Sequence, residues 1–319
     1  MRFKALFGAT LIAAISWTAM PTNAAFPGTN GKIAFARYPR GSAPYEEIYT
    51  VNPDGTGQTR LTFRAFGQVR SSVAPAVSPD GTKIAFHRYT LGTGGADDVS
   101  DIVIIEASSG AELDSFAAPA DSHYAWPSWS PDASHLLLIK NDDVAVLDLT
   151  ARTVDKLTNN PAWESRPQWS PDGSQISFNR ESGSGYGKTF VADIDPTTFA
   201  LTNITNVTGP GTTFADGDAK WHPTQDKLVL SRFKSGWGGS EIFVENLATG
   251  TQKRLTNNSV YDSMPAYSPD GVFVVYSRGP EDEDSELIKQ RVSTGTKDVL
   301  TSNSVVDQQA DWGVQPATP

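Results

Sequence analysis

The sequence contains no cysteine. That excludes disulfide staples, thiolate metal sites and a lipid-modified cysteine at a processed N-terminus. Histidine is nearly as scarce. His87, His123, His135 and His222 are the full set, and no two of them have the helical or finger-type spacing that holds zinc. No Gly-x-Ser-x-Gly nucleophile elbow is present, which argues against a hydrolase of that kind. The glycine runs Gly183–Gly187 and Gly236–Gly239 lack the phosphate-cradling pattern and read as loops. Positive charge is in deficit, with 26 Lys and Arg against 36 Asp and Glu and a net charge of −10. Nucleic acid is therefore excluded as a partner, because its binding rests on phosphate neutralisation. The acidity itself serves solubility.

Long apolar runs are missing too, except at the start. Arg2 and Lys4 precede the apolar stretch Ala5–Ala19, and Pro21 breaks the chain before the small residues Asn23, Ala24 and Ala25. This is the layout of a secretory signal peptide over residues 1–24, too short for a comfortable membrane span. Residues 25–319 are then the mature protein, expected to be monomeric, without a membrane span, and periplasmic or secreted.

What is abundant is repetition. Pro75-Ala-Val-Ser-Pro-Asp-Gly81 returns as Pro127-Ser-Trp-Ser-Pro-Asp-Ala133, Pro167-Gln-Trp-Ser-Pro-Asp-Gly173 and Pro265-Ala-Tyr-Ser-Pro-Asp-Gly271, with Ala219-Lys-Trp-His-Pro-Thr-Gln225 as a degraded copy. The second proline falls at Pro79, Pro131, Pro171, Pro223 and Pro269, close to the period of four-stranded propeller blades. Proline presets φ for the turn, aspartate accepts backbone hydrogen bonds, and glycine takes the left-handed conformation. Alternating apolar residues follow each turn, such as Ile84 and Phe86 or Val274 and Tyr276; period two means strand. Third strands begin near Glu47, Asp101, Asp143 and Glu241, and fourth strands end in Leu-Thr at 61–62, 157–158, 255–256 and 300–301.

Five turns might build five blades, but the ends supply a sixth. Ala310-Asp311-Trp312-Gly313 is a first strand with nothing after it, and Lys32-Ile33-Ala34-Phe35 is a second strand with nothing before it. Pairing them closes a ring and removes two exposed edges. The expected fold is all-β, a six-bladed β-propeller of four-stranded antiparallel blades, closed by its N-terminal and C-terminal strands.

Through Ser78-Pro-Asp-Gly81, Trp129-Ser-Pro-Asp132, Trp169-Ser-Pro-Asp-Gly173 and the Glu-Ile-Tyr and Arg-Leu-Thr segments near residues 47 and 60, the chain resembles the TolB-like, WD-like repeat propeller family over essentially its whole mature length. The resemblance implies the architecture. TolB itself also has an α/β domain before its propeller and works in a cell-envelope complex with a peptidoglycan-associated lipoprotein. Only a few residues separate the expected cleavage site from Lys32, so the expectation is a stand-alone propeller without that domain.

Charges repeat with the blades. A basic residue closes each second strand: Arg37, Arg88, Lys140, Arg180, Arg232 and Arg278. Opposite them fall Ser72, Tyr124, Glu164, Asp216, Asp262 and Asp307. The four acids Glu164, Asp216, Asp262 and Asp307 are candidate ligands for a channel Ca²⁺, which prefers carboxylate oxygens. Because the base repeats with the acid, clamping each arginine between two carboxylates is the favoured reading, and no cofactor is expected. The run 281–286 reads as a solvated hairpin tip.

Function is sought in what does not repeat. Loops at one mouth of the channel carry His123, Tyr124, Trp126, Arg166, Tyr186, Asp218, Trp237 and Tyr261, aromatics and polar groups suited to a peptide or sugar. Trp129, Trp169, Trp221, Tyr267 and Trp312 recur with the fold and belong to inter-blade packing; Trp163 and Phe214 are expected to pack as well. The sequence favours a non-catalytic scaffold binding an envelope or extracellular protein, peptide or glycan. The alternative is a polysaccharide lyase or hydrolase using the same mouth, with His123 as its residue to test.

Overall fold

A computed structural model describes residues 26–38, 45–64, 69–91, 99–181, 187–210, 213–233, 239–280 and 284–318. The segment assigned to the secretory signal, Tyr186, Trp237 and residues 281–283 of the acidic run lie outside the described residues.

Six sheets of four antiparallel strands follow one another along the chain. Blade 1 is the closing blade, formed by Val306–Val314, Asn30–Tyr38, Glu47–Val51 and Thr59–Arg60. Blade 2 spans Arg70–Ala117, blade 3 Tyr124–Lys156, blade 4 Trp163–Asn206, blade 5 Ala215–Arg254 and blade 6 Tyr261–Val299. In blade 1 the first strand comes from the C-terminus and pairs Trp312 with Ile33, Asp311 with Ala34 and Asp307 with Arg37. The two ends of the chain do complete one blade. Contact at the seam is close: a Cβ on Gly31 would lie 2.2 Å from the carbonyl oxygen of Val314, so only glycine fits there.

The Ser-Pro-Asp-Gly turns are held by their own side chains. Ser78 Oγ donates to Asp80 Oδ1 (2.6 Å) and accepts from the Lys83 amide (2.9 Å), while Asp80 Oδ1 accepts from the Thr82 amide at 3.0 Å. The same bonds recur after Ser130, Ser170 and Ser268. Burial pushes these aspartates up, but the hydrogen bonds outweigh it and hold Asp80, Asp132 and Asp172 below the usual carboxylate range. In the degraded copy His222 takes over, its Nδ1 accepting from the amides of Thr224 (3.2 Å) and Gln225 (3.1 Å).

Near the other face, acid and base stand opposite each other in every inner hairpin where both occur: Glu164 with Arg180, Asp216 with Arg232, Asp262 with Arg278 and Asp307 with Arg37. The pairs are tight, with Arg278 Nε–Asp262 Oδ1 at 2.6 Å and Arg232 Nε–Asp216 Oδ1 at 2.5 Å. Hydrogen bonds donated to Asp262 raise the Arg278 pKa against the effect of burial.

The expected clamp between first- and third-strand acids does not form in the described ion pairs; Arg88 alone among these arginines meets two carboxylates there, and they are Asp101 and Glu112 of the third and fourth strands. Elsewhere the third-strand acid turns outward to the fourth strand, Glu47 to Arg60, Asp143 to Lys156 and Glu241 to Arg254. The reason is the Leu-Thr ending. Its threonine hydroxyl accepts from a third-strand amide at 2.9 Å and, in blades 1 and 5, donates to the third-strand carboxylate of Glu47 or Glu241. Two residues on, Asn160, Asn258 and Asn303 use their amide groups to reach the first acid of the next blade, Glu164 (2.9 Å), Asp262 (2.6 Å) and Asp307 (2.8 Å). Each of these blades is thus latched to the next by polar bonds as well as by packing.

Burial (5 % exposed) keeps the His222 ring neutral, with its pKa lowered from 6.5 to about 4. The unfolded chain takes up this proton first, so stability is complete above about pH 6.5 and falls as the pH drops towards 4, by about 3 kcal/mol at most. His87, lowered to about 4 by burial, adds a second such term. Urea unfolding between pH 7 and pH 4 should show this slope, and His222→Ser should reduce it to the His87 part. Equal slopes for the two proteins would contradict the assignment.

Candidate functional site

Each inner strand carries a bulge at one equivalent position, three residues before the repeated aromatic. The residues there are Ala74, Trp126, Arg166, Asp218, Met264 and Gln309, all left-handed with φ between 51° and 57°. Register shifts accompany them in all six blades. Such a φ costs a non-glycine residue about 1–2 kcal/mol. The local cause is visible in four blades, where proline follows directly (Pro75, Pro127, Pro167 and Pro265). Proline has no N–H for the ladder and is at home in a bulge. The first proline of the repeat therefore marks the bulge, a signal that went unread in the sequence.

The six bulges turn their residues towards the axis, where they line a narrow channel space of ≈ 50 Å³ together with Gln168 and Lys220. This is room for a few waters at most. Arg166 is the centre of the ring. Its Nε pairs with Asp218 Oδ1 at 2.5 Å, and its guanidinium lies 4.4 Å from the centroid of Trp126. Ser231 Oγ donates to the other Asp218 oxygen at 2.6 Å. Gln309 accepts from the Ala74 amide (2.7 Å), and Lys220 pairs with Asp311 (3.1 Å).

Three of the residues expected at the mouth, Trp126, Arg166 and Asp218, are brought together here. His123 stands beside the ring on the surface, half exposed, with Nε2 3.8 Å from Asp142 Oδ1. Tyr124 is buried at 4 % exposure, which raises its pKa, and serves packing instead of offering open surface. Tyr261 is half-buried, parallel to Phe233 at a centroid distance of 6.4 Å. Phe214 packs as expected, under Lys188 (3.6 Å) and Arg232 (4.0 Å). Trp163 does not: it is 54 % exposed, because no neighbouring blade covers it.

The candidate calcium ligands Glu164, Asp216, Asp262 and Asp307 are almost fully buried and each engages an arginine. Among the described residues no group of three or more His, Asp or Glu side chains is placed to hold a metal.

The opposite end of the channel is closed. Trp129, Trp169, Trp221, Tyr267 and Trp312 are buried as expected, and Phe26 sits among them, 7 % exposed. The segment after Phe26 is tied across blade 6, with Gly28 N–H to Pro269 O at 3.2 Å and Asn30 to Asp270 at 2.9 Å. This plug was missed in the sequence, where Phe26 looks like a stray residue beside the expected cleavage site.

With this geometry in place, comparison with known proteins is informative. The family model described as TolB beta propeller domain matches residues 23–315. The chain is 27 % identical over 208 residues to the "Uncharacterized peptidase YuxL" of Bacillus subtilis (strain 168), covering 64 % of this chain and 29 % of that protein. It is 30 % identical over 138 residues to the "Protein TolB homolog" of Chlorobium luteolum, covering 42 % of this chain and 28 % of that one. The matches span under a third of either relative's length. TolB from Acinetobacter baumannii superposes with a TM-score of 0.71 at 21 % identity, over 89 % of this chain and 67 % of that one.

The bulges make a test on stability. In a regular strand, Ala→Gly costs about 0.5–1 kcal/mol. At Ala74, with φ of 53°, glycine relieves strain, so Ala74→Gly should leave urea stability unchanged or raise it by about 1 kcal/mol. A loss of that size would mean an ordinary strand.

Proposed function

The chain belongs to the TolB beta propeller domain family, and from that premise we propose that it is an exported, non-catalytic scaffold that docks a protein or peptide on the channel mouth ringed by the six bulges. The observation that carries this is the Trp126–Arg166–Asp218 stack. It is an aromatic and an arginine, the residue types that dominate binding hot spots, held rigid on strained backbone of the kind that clusters at functional sites. The opening is too narrow to swallow a ligand, and the far end is stoppered by Phe26. A partner therefore lies across the mouth and sends a side chain towards Arg166. Export follows from the N-terminal basic and apolar pattern.

Catalysis is not assigned to the mouth. The peptidase-named relative matches over less than a third of its length, this sequence has no nucleophile elbow, and His123 lies 3.8 Å from Asp142 on the surface.

Trp126→Ala and Arg166→Ala proteins test the proposal. Mixed with envelope extract and photo-crosslinked from Met264, the wild type should yield a discrete protein adduct. Either substitution should reduce that adduct at least about tenfold, with a stability change below about 1 kcal/mol. Unchanged crosslinking in both variants would contradict the docking role. Turnover of a polysaccharide or peptide that His123→Ala abolishes would replace it with an enzyme.

A further inference from the structure

A second opening lies beside the channel, at the seam where blade 6 meets blade 1. It has a volume of ≈ 530 Å³, within the range of about 300–1,000 Å³ common to small-ligand sites. It touches the channel only through Met264. Tyr261 lines it from blade 6 and Tyr38 from blade 1, with Ser263, Ser277, Gln308 and Glu46 among the other lining groups.

The seam differs from the other blades in a definite way. At the position of Ser277, Asn179 donates to the Asp216 carbonyl (2.6 Å), Ser231 bonds Gly217 and Asp218, and His87 shares a hydrogen bond with Ser100. Ser277, with 3 % exposure, has a buried Oγ without any partner. An orphan buried hydroxyl is costly, and native proteins tend to keep one only where something else satisfies it. The side chains of Ser263, Gln308 and Glu46 make no hydrogen bond or ion pair with the described residues either. The pocket thus offers the hydroxyls of Ser277 and Ser263, the amide of Gln308 and the carboxylate of Glu46 between two tyrosine rings. Among the described residues no Lys, Arg or His lines it.

We propose that this notch is a binding site for a neutral saccharide. Sugar hydroxyls both donate and accept, which matches the mixture of Ser277, Ser263, Gln308 and Glu46, and the apolar faces of a pyranose suit tyrosine rings. Among the described lining residues the one formal charge is the negative Glu46, which disfavours uronic acids. The inference rests on the seam alone and stands apart from the docking role of the channel mouth.

Saturation-transfer NMR and calorimetry on the full mature chain test it, with cellobiose, maltose and diacetylchitobiose as neutral probes and digalacturonate as the acidic one. At least one neutral disaccharide should bind, and digalacturonate should not. Ser277→Ala and Gln308→Ala should each weaken that binding about tenfold. Ser277→Ala removes the orphan hydroxyl and adds no bulk at this buried site, so its melting temperature should stay level or rise, which separates lost binding from lost folding. Arg166→Ala should leave the sugar affinity unchanged. Absence of binding by all three neutral sugars, binding insensitive to both substitutions, or preference for digalacturonate would overturn the proposal.

Discussion

The pairing of Val306–Val314 with Asn30–Tyr38 is the contact on which the rest of the ring depends. A propeller blade buries its faces only against two neighbours, so a ring with one open seam leaves two blade faces and two strand edges in water. Here the seam is backed by Arg37, whose Nε and Nη2 meet the two oxygens of fully buried Asp307 at 2.6 and 2.8 Å. The paired geometry adds direction to the pairing of strands. Trp312 adds apolar contact and donates its indole N–H to Gly31 O at 3.1 Å. Because blade 1 is assembled from both ends of the chain, every other blade is held in place by that one junction.

From this constraint comes a division of labour. The turns, the acid–base pairs and the Thr and Asn latches repeat from blade to blade and settle each hairpin's register. Each of the four first-strand carboxylates among them is paired with an arginine. The bulge positions repeat in backbone and differ in side chain: Ala74, Trp126, Arg166, Asp218, Met264 and Gln309 share one φ and little else. A constant strained frame presenting a variable set of groups is how a structural repeat becomes a recognition surface.

The fold was legible because repetition is a property of the sequence. The spacing of Pro79, Pro131, Pro171, Pro223 and Pro269 counts blades, and the halves at Lys32 and Trp312 show how they close. Sixteen-residue separations such as Asp262 to Arg278 gave the hairpin register correctly. The site was legible in part. Trp126, Arg166 and Asp218 stand out as departures from the repeat, but that they share one ring depends on bulges that bring three adjacent blades to the axis. Tyr124 looks like a mouth aromatic until its burial is known, and Trp163 looks like a packing residue until its exposure is. Phe26 and the orphan Ser277 carry no local signal at all, since each owes its meaning to residues more than two hundred positions away, Trp312 for one and Tyr38 for the other.

The closure can be measured directly, because the chain has no cysteine of its own. Asn30 and Val314 are paired across the seam, and cysteines placed at both would join the two strands. If the seam is the contact that holds the ring, the oxidised Asn30→Cys/Val314→Cys protein should form the bond within one molecule. It should then unfold with a stability on the order of 5 kcal/mol above its reduced form, the loop-closure gain for so long a span. Failure to form that bond, or identical unfolding of the oxidised and reduced proteins, would show that the ring is not held where this account places its junction.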